Sequence, residues 1–470
     1  MVKNKLRKYT IGILVCIICF LSIPINTFAE IKNANVFAIY DNNDSLLDLS
    51  DSQRKLFKYL KDKLSNIANG SETIDTLETS VGPARYISTR VTIKESDVPN
   101  IRSMTENDIE YIEIHEVLAR LIMDCPYALY WWNISDDGGY EVTDSENGIS
   151  ITFYVARDFA VKDGDRFYRD KLAENSIINV KKVVENAKKI VKAHEFESDY
   201  EKMHAYLSYI DENNSYDKNA GARIYSAADI SPYQFTSILD EDTSTNGVCE
   251  AYAKAFNLLC DLSHFSSPDV KSYIVSGYLG NTRGPHMWNI VTFGDGTYHI
   301  VDATNCDEPY PGAPDKLFPG ENELIPSGNI LDGYTYALND SKKLTYIYDE
   351  DSLSIYGKNS DSILNLSTEK YDHKTAGTYD PVTNTVGKNV VLSQNKIVIN
   401  RGNYSKISLS KKARKDLIKN ISYSSDNKKV VKISKKGTIK GVKKGSAKIG
   451  VTVTFVNGKS KKLTAWVTVK

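Results

Sequence analysis

Asn246-Gly247-Val248-Cys249-Glu250-Ala251-Tyr252-Ala253 is the stretch on which the reading of this chain turns. It closes a long polar segment and opens an apolar run, residues 248–262, that carries few charges. The pattern predicts a helix with Cys249 in its first turn. The first backbone N–H groups of a helix have no intrahelical acceptor, and a helix N-terminus favours negative charge. The thiolate is the reactive form of cysteine, so Cys249 is a candidate nucleophile and its own N–H a candidate oxyanion donor.

A thiol working near neutral pH needs a base, and the base needs an orienting acceptor. Three strand-like runs follow the helix: residues 271–276 (KSYIVS), 286–293 (HMWNIVTF) and 298–304 (YHIVDAT). His286 opens the second and Asp302 ends the third. Gly294-Asp295-Gly296-Thr297 between them is a hairpin signal. Side chains alternate along a strand, so loop length decides whether the two residues share a face. A two-residue loop, Asp295-Gly296, sends His286 and Asp302 to opposite faces. A three-residue loop, Gly294-Asp295-Gly296, pairs Phe293 with Thr297 and makes His286 and Asp302 diagonal neighbours on one face. The expectation is the longer loop, with Gly296 left-handed and His299 facing away from Asp302.

Each residue alone has a plainer reading: an inert core cysteine, a structural histidine, a turn aspartate. Together, in this order and on these elements, Cys249, His286 and Asp302 form a papain-like triad. A helix packed on an antiparallel sheet makes the fold class α+β.

The 470 residues, 41% hydrophobic and 25% charged, suffice for several domains and a sizeable core. Lys3, Lys5, Arg7 and Lys8 precede a short apolar run, residues 11–23, and Thr27-Phe28-Ala29 ends in small residues suited to cleavage before Glu30. Residues 1–29 therefore read as a secretory signal peptide, and the protein as secreted, extracellular or wall-associated. The competing reading is an uncleaved anchor, for which the run is short. Cleavage leaves Cys125, Cys249, Cys260 and Cys306. That is sparse for a disulfide scaffold. Cys260, further along the predicted helix, reads as core; the pairing state of Cys125 and Cys306 stays open.

Outward from the triad, residues 30–180 read as an N-terminal α/β accessory region. It has helical patterns at 48–68 and 115–123 and strand-like runs at 127–132 and 149–155. Residues 181–355 read as the core, 356–390 as a polar linker, and 391–470 as a small all-β sandwich of short apolar runs between turn residues. Charge divides at the same place. Residues 391–470 hold 21 Lys and Arg against two Asp and Glu; the remainder holds 38 against 58. This marks the sandwich as a separate module attracted to an anionic surface such as a cell-wall polymer. A solvated basic face with no specific partner is the alternative.

Val248-Cys249-Glu250-Ala251-Tyr252-Ala253-Lys254-Ala255-Phe256, Val275-Ser276-Gly277, His286-Met287-Trp288-Asn289 and Val301-Asp302-Ala303-Thr304 resemble the blocks of the transglutaminase-like superfamily core, nearest to its secreted Firmicutes members. Tyr216-Asp217 resembles the pair preceding that core, and Asp124-Cys125-Pro126 with Trp131 the accessory region upstream. The resemblance covers about residues 110–345. It implies Cys249 as nucleophile, His286 as base and Asp302 as orienter, acting on a peptide or protein substrate through a thioester. Ala251 for the usual Gly, Met287 for the usual Ala and a hairpin one residue longer depart from the pattern and bear on substrate fit. Whether water or a lysine amine takes the acyl group stays open. A non-catalytic cell-surface binding or scaffold protein retaining the fold is the alternative function.

Tyr423-Ser424-Ser425-Asp426-Asn427-Lys428-Lys429-Val430-Val431, with Gly437-Thr438-Ile439 and Gly445-Ser446-Ala447-Lys448-Ile449, resembles a bacterial immunoglobulin-like domain of the second group, which implies a spacer or adhesion module. No cofactor, metal, nucleic acid or membrane span after cleavage is expected.

Overall fold

The computed structural model describes residues 49–72, 77–81, 84–104, 112–133, 139–156, 159–163, 167–172, 174–221, 233–280, 284–306, 317–319, 325–338, 342–379, 390–410, 418–455 and 458–470. The expected signal peptide lies outside them. Among the described residues, no helix is long and apolar enough to cross a membrane.

The chain opens with α1 (Asp51–Asn69), whose entry is fixed by a capping box. The Gln53 N–H donates to Ser50 Oγ, and the Ser50 N–H to Gln53 Oε1, a pairing that stabilises a helix start by about 1 kcal/mol. Next come β1 (Leu77–Val81), β2 (Ala84–Lys94), α2 (Ile112–Asp124), β3 (Tyr140–Ser145), β4 (Gly148–Val155), β5 (Ala160–Asp163) and β6 (Phe167–Leu172). The first four strands form an antiparallel sheet ordered β1-β2-β4-β3, while β5 and β6 make a hairpin. Residues 127–132 are not the expected strand. Pro126–Ala128 is a 3-10 turn, and only Trp132 bridges to Val155. Proline lacks an N–H, and the aromatic run is sunk whole into the core instead of alternating.

The core follows as α3 (Glu174–Ala193), α4 (Asp199–Asn213), α5 (Lys218–Gly221), α6 (Thr236–Leu239), α7 (Cys249–Asp261), β7 (Val270–Leu279), β8 (Gly284–Phe293), β9 (His299–Val301), α8 (Ala303–Cys306), β10 (Ser327–Asn329), β11 (Gly333–Ala337), β12 (Lys343–Tyr348) and α9 (Glu350–Tyr356). Its sheet is antiparallel, ordered β10-β11-β12-β7-β8-β9. Helix α7 packs against β7 and β8, with every residue from Ala251 to Cys260 buried. The loop expected before Gly247 contains α5 and α6, and Phe235, Ile238 and Leu239 are buried.

Helix α3 runs across the 180/181 border, and one hydrophobic cluster extends from Leu49 in the accessory region through α7 to Tyr371. The described part of the expected 356–390 linker is packed as well: Leu364, Leu366 and Tyr371 belong to that cluster. Polar composition hid these anchors because they stand singly between Asp, Ser and Asn.

Residues 390–470 have a separate core. Strands β13 (Lys396–Ile399), β14 (Tyr404–Lys406), β15 (Ile418–Ser425), β16 (Val431–Ile433), β17 (Thr438–Gly441), β18 (Gly445–Phe455) and β19 (Ser460–Val469) form two sheets, β13-β19-β18-β15 and β14-β17-β16. Strand β13 runs parallel to β19; the other pairs are antiparallel. Ala447, Ile449, Val451, Val453 and Phe455 of β18 alternate inward beside Ala465, Val467 and Val469 of β19, as period two requires.

Candidate active site

Cys249 is the first residue of α7, half-buried, and Val248 before it supplies no side-chain cap. No backbone acceptor meets the Cys249 N–H among the described residues. The approach to the helix is held by Tyr216-Asp217: Tyr216 bridges to Gly247, and the Asp217 N–H donates to the Gly247 carbonyl at 2.8 Å. Fully buried Asn289 on β8 donates through Nδ2 to the Ala253 carbonyl at 3.2 Å, tying the sheet to the middle of α7.

The β8–β9 register pairs Asn289 with Val301, Ile290 with Ile300 and Val291 with His299. The paired ladder ends at Val291 and His299, and its register has the parity of the three-residue alternative. Gly296 takes φ +83° and Gly294 +80°, the left-handed region that only glycine enters without strain. His286 and Asp302 accordingly meet, with His286 Nε2 2.8 Å from Asp302 Oδ2. Strand β9 is shorter than expected. Asp302 lies just beyond it, and its carboxylate accepts from the Asn305 N–H at 3.1 Å at the entry to α8.

Asp302 is fully buried. Its Oδ2 also accepts from Tyr346 Oη at 2.7 Å and from Asn305 Nδ2 at 2.7 Å. Burial alone would raise its pKa, but the His286 charge and these donors outweigh it and hold the carboxyl below its ordinary value. Burial also disfavours a charged His286. The Asp302 carboxylate overrides this, with a smaller contribution from the Cys249 thiol, and the imidazole is pushed up to about 10. Because Nε2 is taken by Asp302, Nδ1 is the nitrogen left for the sulfur. Trp288 stacks on the ring, centroids 5.8 Å apart and planes 18° apart. His299 instead pairs with Thr297 Oγ1 at 2.9 Å, and burial lowers its pKa to about 4, so it stays neutral.

The structure thus brings His286 and Asp302 together, with Cys249 at the start of the helix that packs on their sheet. Sequence reasoning missed Tyr346, Asn305 and the stacking role of Trp288. Only Asn305 had a local signal: it stands three residues after an aspartate at a helix start. At its far end, α7 is held by the accessory region. Tyr127 Oη donates to Asp261 Oδ2 at 2.7 Å, and Asn257 Nδ2 reaches the same oxygen at 2.9 Å. Cys125, Cys260 and Cys306 are buried, and Cys249 is half-buried. Among the described residues, no cluster of His, Cys, Asp and Glu is arranged to hold a metal ion.

The β-sandwich also finds relatives. Residues 387–465 match the bacterial Ig-like domain (group 2). No curated protein sequence matches the chain. Among solved structures, a TGase aligns at 15% identity over 38% of this chain and 48% of its own, with a TM-score of 0.23. The chain thus spans about half the length of that protein. Domains 4 and 5 of the S-layer protein SbsC align at 15% identity over 32% of this chain and 98% of theirs, with a TM-score of 0.15. A longer SbsC fragment aligns at 14% identity over 42% of this chain and 25% of its own, also at 0.15. Likenesses at these TM-scores carry no argument about fold or chemistry.

Proposed function

We propose that this protein is a secreted thiol enzyme that acts on peptide or protein amides, with Cys249 as nucleophile, His286 as base and Asp302 as orienter. One observation carries the reading. The His286 imidazole is hydrogen-bonded to the buried Asp302 carboxylate, its pKa is raised in part by the Cys249 thiol, and that thiol opens a helix packed on the same sheet. An imidazolium and a helix N-terminus both stabilise a thiolate. The thiol proton passes to His286, and the sulfur bonds to the carbonyl carbon. The oxyanion takes the free Cys249 N–H. The C–N bond then breaks, and the imidazolium gives its proton to the departing amine. The thioester is resolved by water in hydrolysis or by an amine in transfer; the residues of the site are the same in both.

Iodoacetamide at neutral pH tests the site. Cys249 is expected to alkylate fast, and His286→Ala to slow it by at least about tenfold. Equal, slow labelling in both proteins would favour the binding-protein reading. A glutamine-containing protein incubated with a fluorescent amine then separates transfer, which leaves the label attached, from hydrolysis. The basic residues of 391–470 are read as attracting the protein to an anionic cell-wall polymer outside the cell.

A further inference from the structure

Aromatic side chains on the β-sandwich surface are few, and one is placed unlike the rest. Trp466 on β19 is 54% exposed, whereas Trp131, Trp132 and Trp288 are at most 1% exposed. It points outward from the four-stranded sheet, between Lys448 on β18 and Lys396 on β13, its direct partners in register. Side chains directly across neighbouring strands stand close enough for both ammonium groups to flank the indole. Above and below lie small or hydroxylated side chains: Thr464, Thr468, Ser446 and Gly450, with Val398 at the edge. Lys462 follows on the same face. None of these three lysines has an ion-pair partner among the described residues, and the indole is 54% exposed. The Asp426 carboxylate on the neighbouring turn accepts from the Lys448 backbone N–H at 2.8 Å.

An exposed indole on a flat, hydroxyl-lined sheet suits one kind of surface. Its π face attracts the C–H face of a sugar ring, while flanking ammonium groups pair with acidic substituents on the sugars to either side. A bare polyanion would need the lysines but not the ring; a neutral glycan would need the ring but not the lysines. The opposite sheet lacks this combination. Tyr404 there is 63% exposed, but Lys440 already sits over its ring at 5.2 Å.

We propose that the outer face of β13-β19-β18-β15, centred on Trp466 with Lys396 and Lys448, is a binding platform for an anionic polysaccharide. This rests on the reading of the basic module as drawn to an anionic polymer and names the face and the chemistry.

The whole protein is titrated at low salt with polygalacturonate, with its methyl-esterified neutral form and with polyphosphate. Because the other indoles are buried, acrylamide quenching of tryptophan fluorescence reports on Trp466. Polygalacturonate is expected to shield the indole from quencher, and neither control to do so. Trp466→Ala is expected to weaken polygalacturonate binding about tenfold, the scale of one lost stacking contact, with Trp466→Phe retaining most of it. Lys396→Glu with Lys448→Glu is expected to abolish the shielding, and Tyr404→Ala to change nothing. These are surface positions, where substitution costs little stability, so the variants fold. Salt-sensitive binding that leaves Trp466 quenchable, unchanged affinity in Trp466→Ala, or equal shielding by polyphosphate overturns the platform but leaves the charge reading standing. No binding of either polyanion at low salt removes both.

Discussion

Four donor contacts converge on the Asp302 carboxylate: His286 Nε2, Tyr346 Oη, Asn305 Nδ2 and the Asn305 N–H. A carboxylate at zero exposure stays ionised only with such company. Tyr346→Phe removes one donor without changing shape. It is expected to destabilise the protein by about 1.5–3 kcal/mol, the usual range for a hydrogen bond to a charged group. It also raises the Asp302 pKa, weakening its hold on the His286 imidazolium. The pH profile of Cys249 alkylation should then move, while a substitution that merely loosens the core would lower stability without moving the profile. Urea unfolding and alkylation rates across pH read both, and an unmoved profile counts against a positioning role. At this scale the sequence was partly legible. Cys249, His286 and Asp302 announce themselves by order and by the elements that carry them. Tyr346 does not, because β12 reaches Asp302 only through its pairing with β7, and nothing local to residues 343–348 encodes that neighbour.

The sheet elements set the His286–Asp302 pair by register. The hairpin was readable because alternation converts loop length into a choice of face, and two glycines mark where the chain turns left-handed. Less readable was the joint between β7 and β12. Gly277 pairs with His286 on one side and Tyr348 on the other. A Cβ there would stand 2.0 Å from the Ile347 carbonyl oxygen and 3.0 Å from the Trp288 ring. Gly277→Ala must push β12 away from β7, carrying Tyr346 from Asp302 and disturbing Trp288 beneath the imidazole. A loss of about 1–3 kcal/mol, as for overpacked cores, is expected with slowed alkylation of Cys249. Thermal melts and labelling of the variant check this; wild-type values for both would mean that the joint is more pliable than its geometry implies. The strand expected at residues 127–132 failed for a related reason. An unbroken aromatic run carries no period, and burial on all sides suits a turn as well as a strand.

Across the whole molecule, local pattern separates the basic sandwich from the rest but fails to join the accessory region to the core. Contacts such as Tyr127 with Asp261 span 134 residues, and no window of sequence contains both partners. The shared cluster makes a definite demand. A fragment beginning at Lys181 loses Trp131, Trp132 and Phe153 from the cluster and strips Tyr127 from Asp261. It is expected to give no cooperative thermal transition for its α+β part. A transition at the full-length temperature would show the accessory region to be dispensable. The distribution of sulfur across the same interior has a practical consequence. Cys125, Cys260 and Cys306 are buried, while Cys249 alone among the described cysteines meets solvent. Among the described cysteines, a maleimide dye applied to the folded protein is therefore expected to mark Cys249 alone, so that a distance probe or affinity tether can be placed at the start of α7.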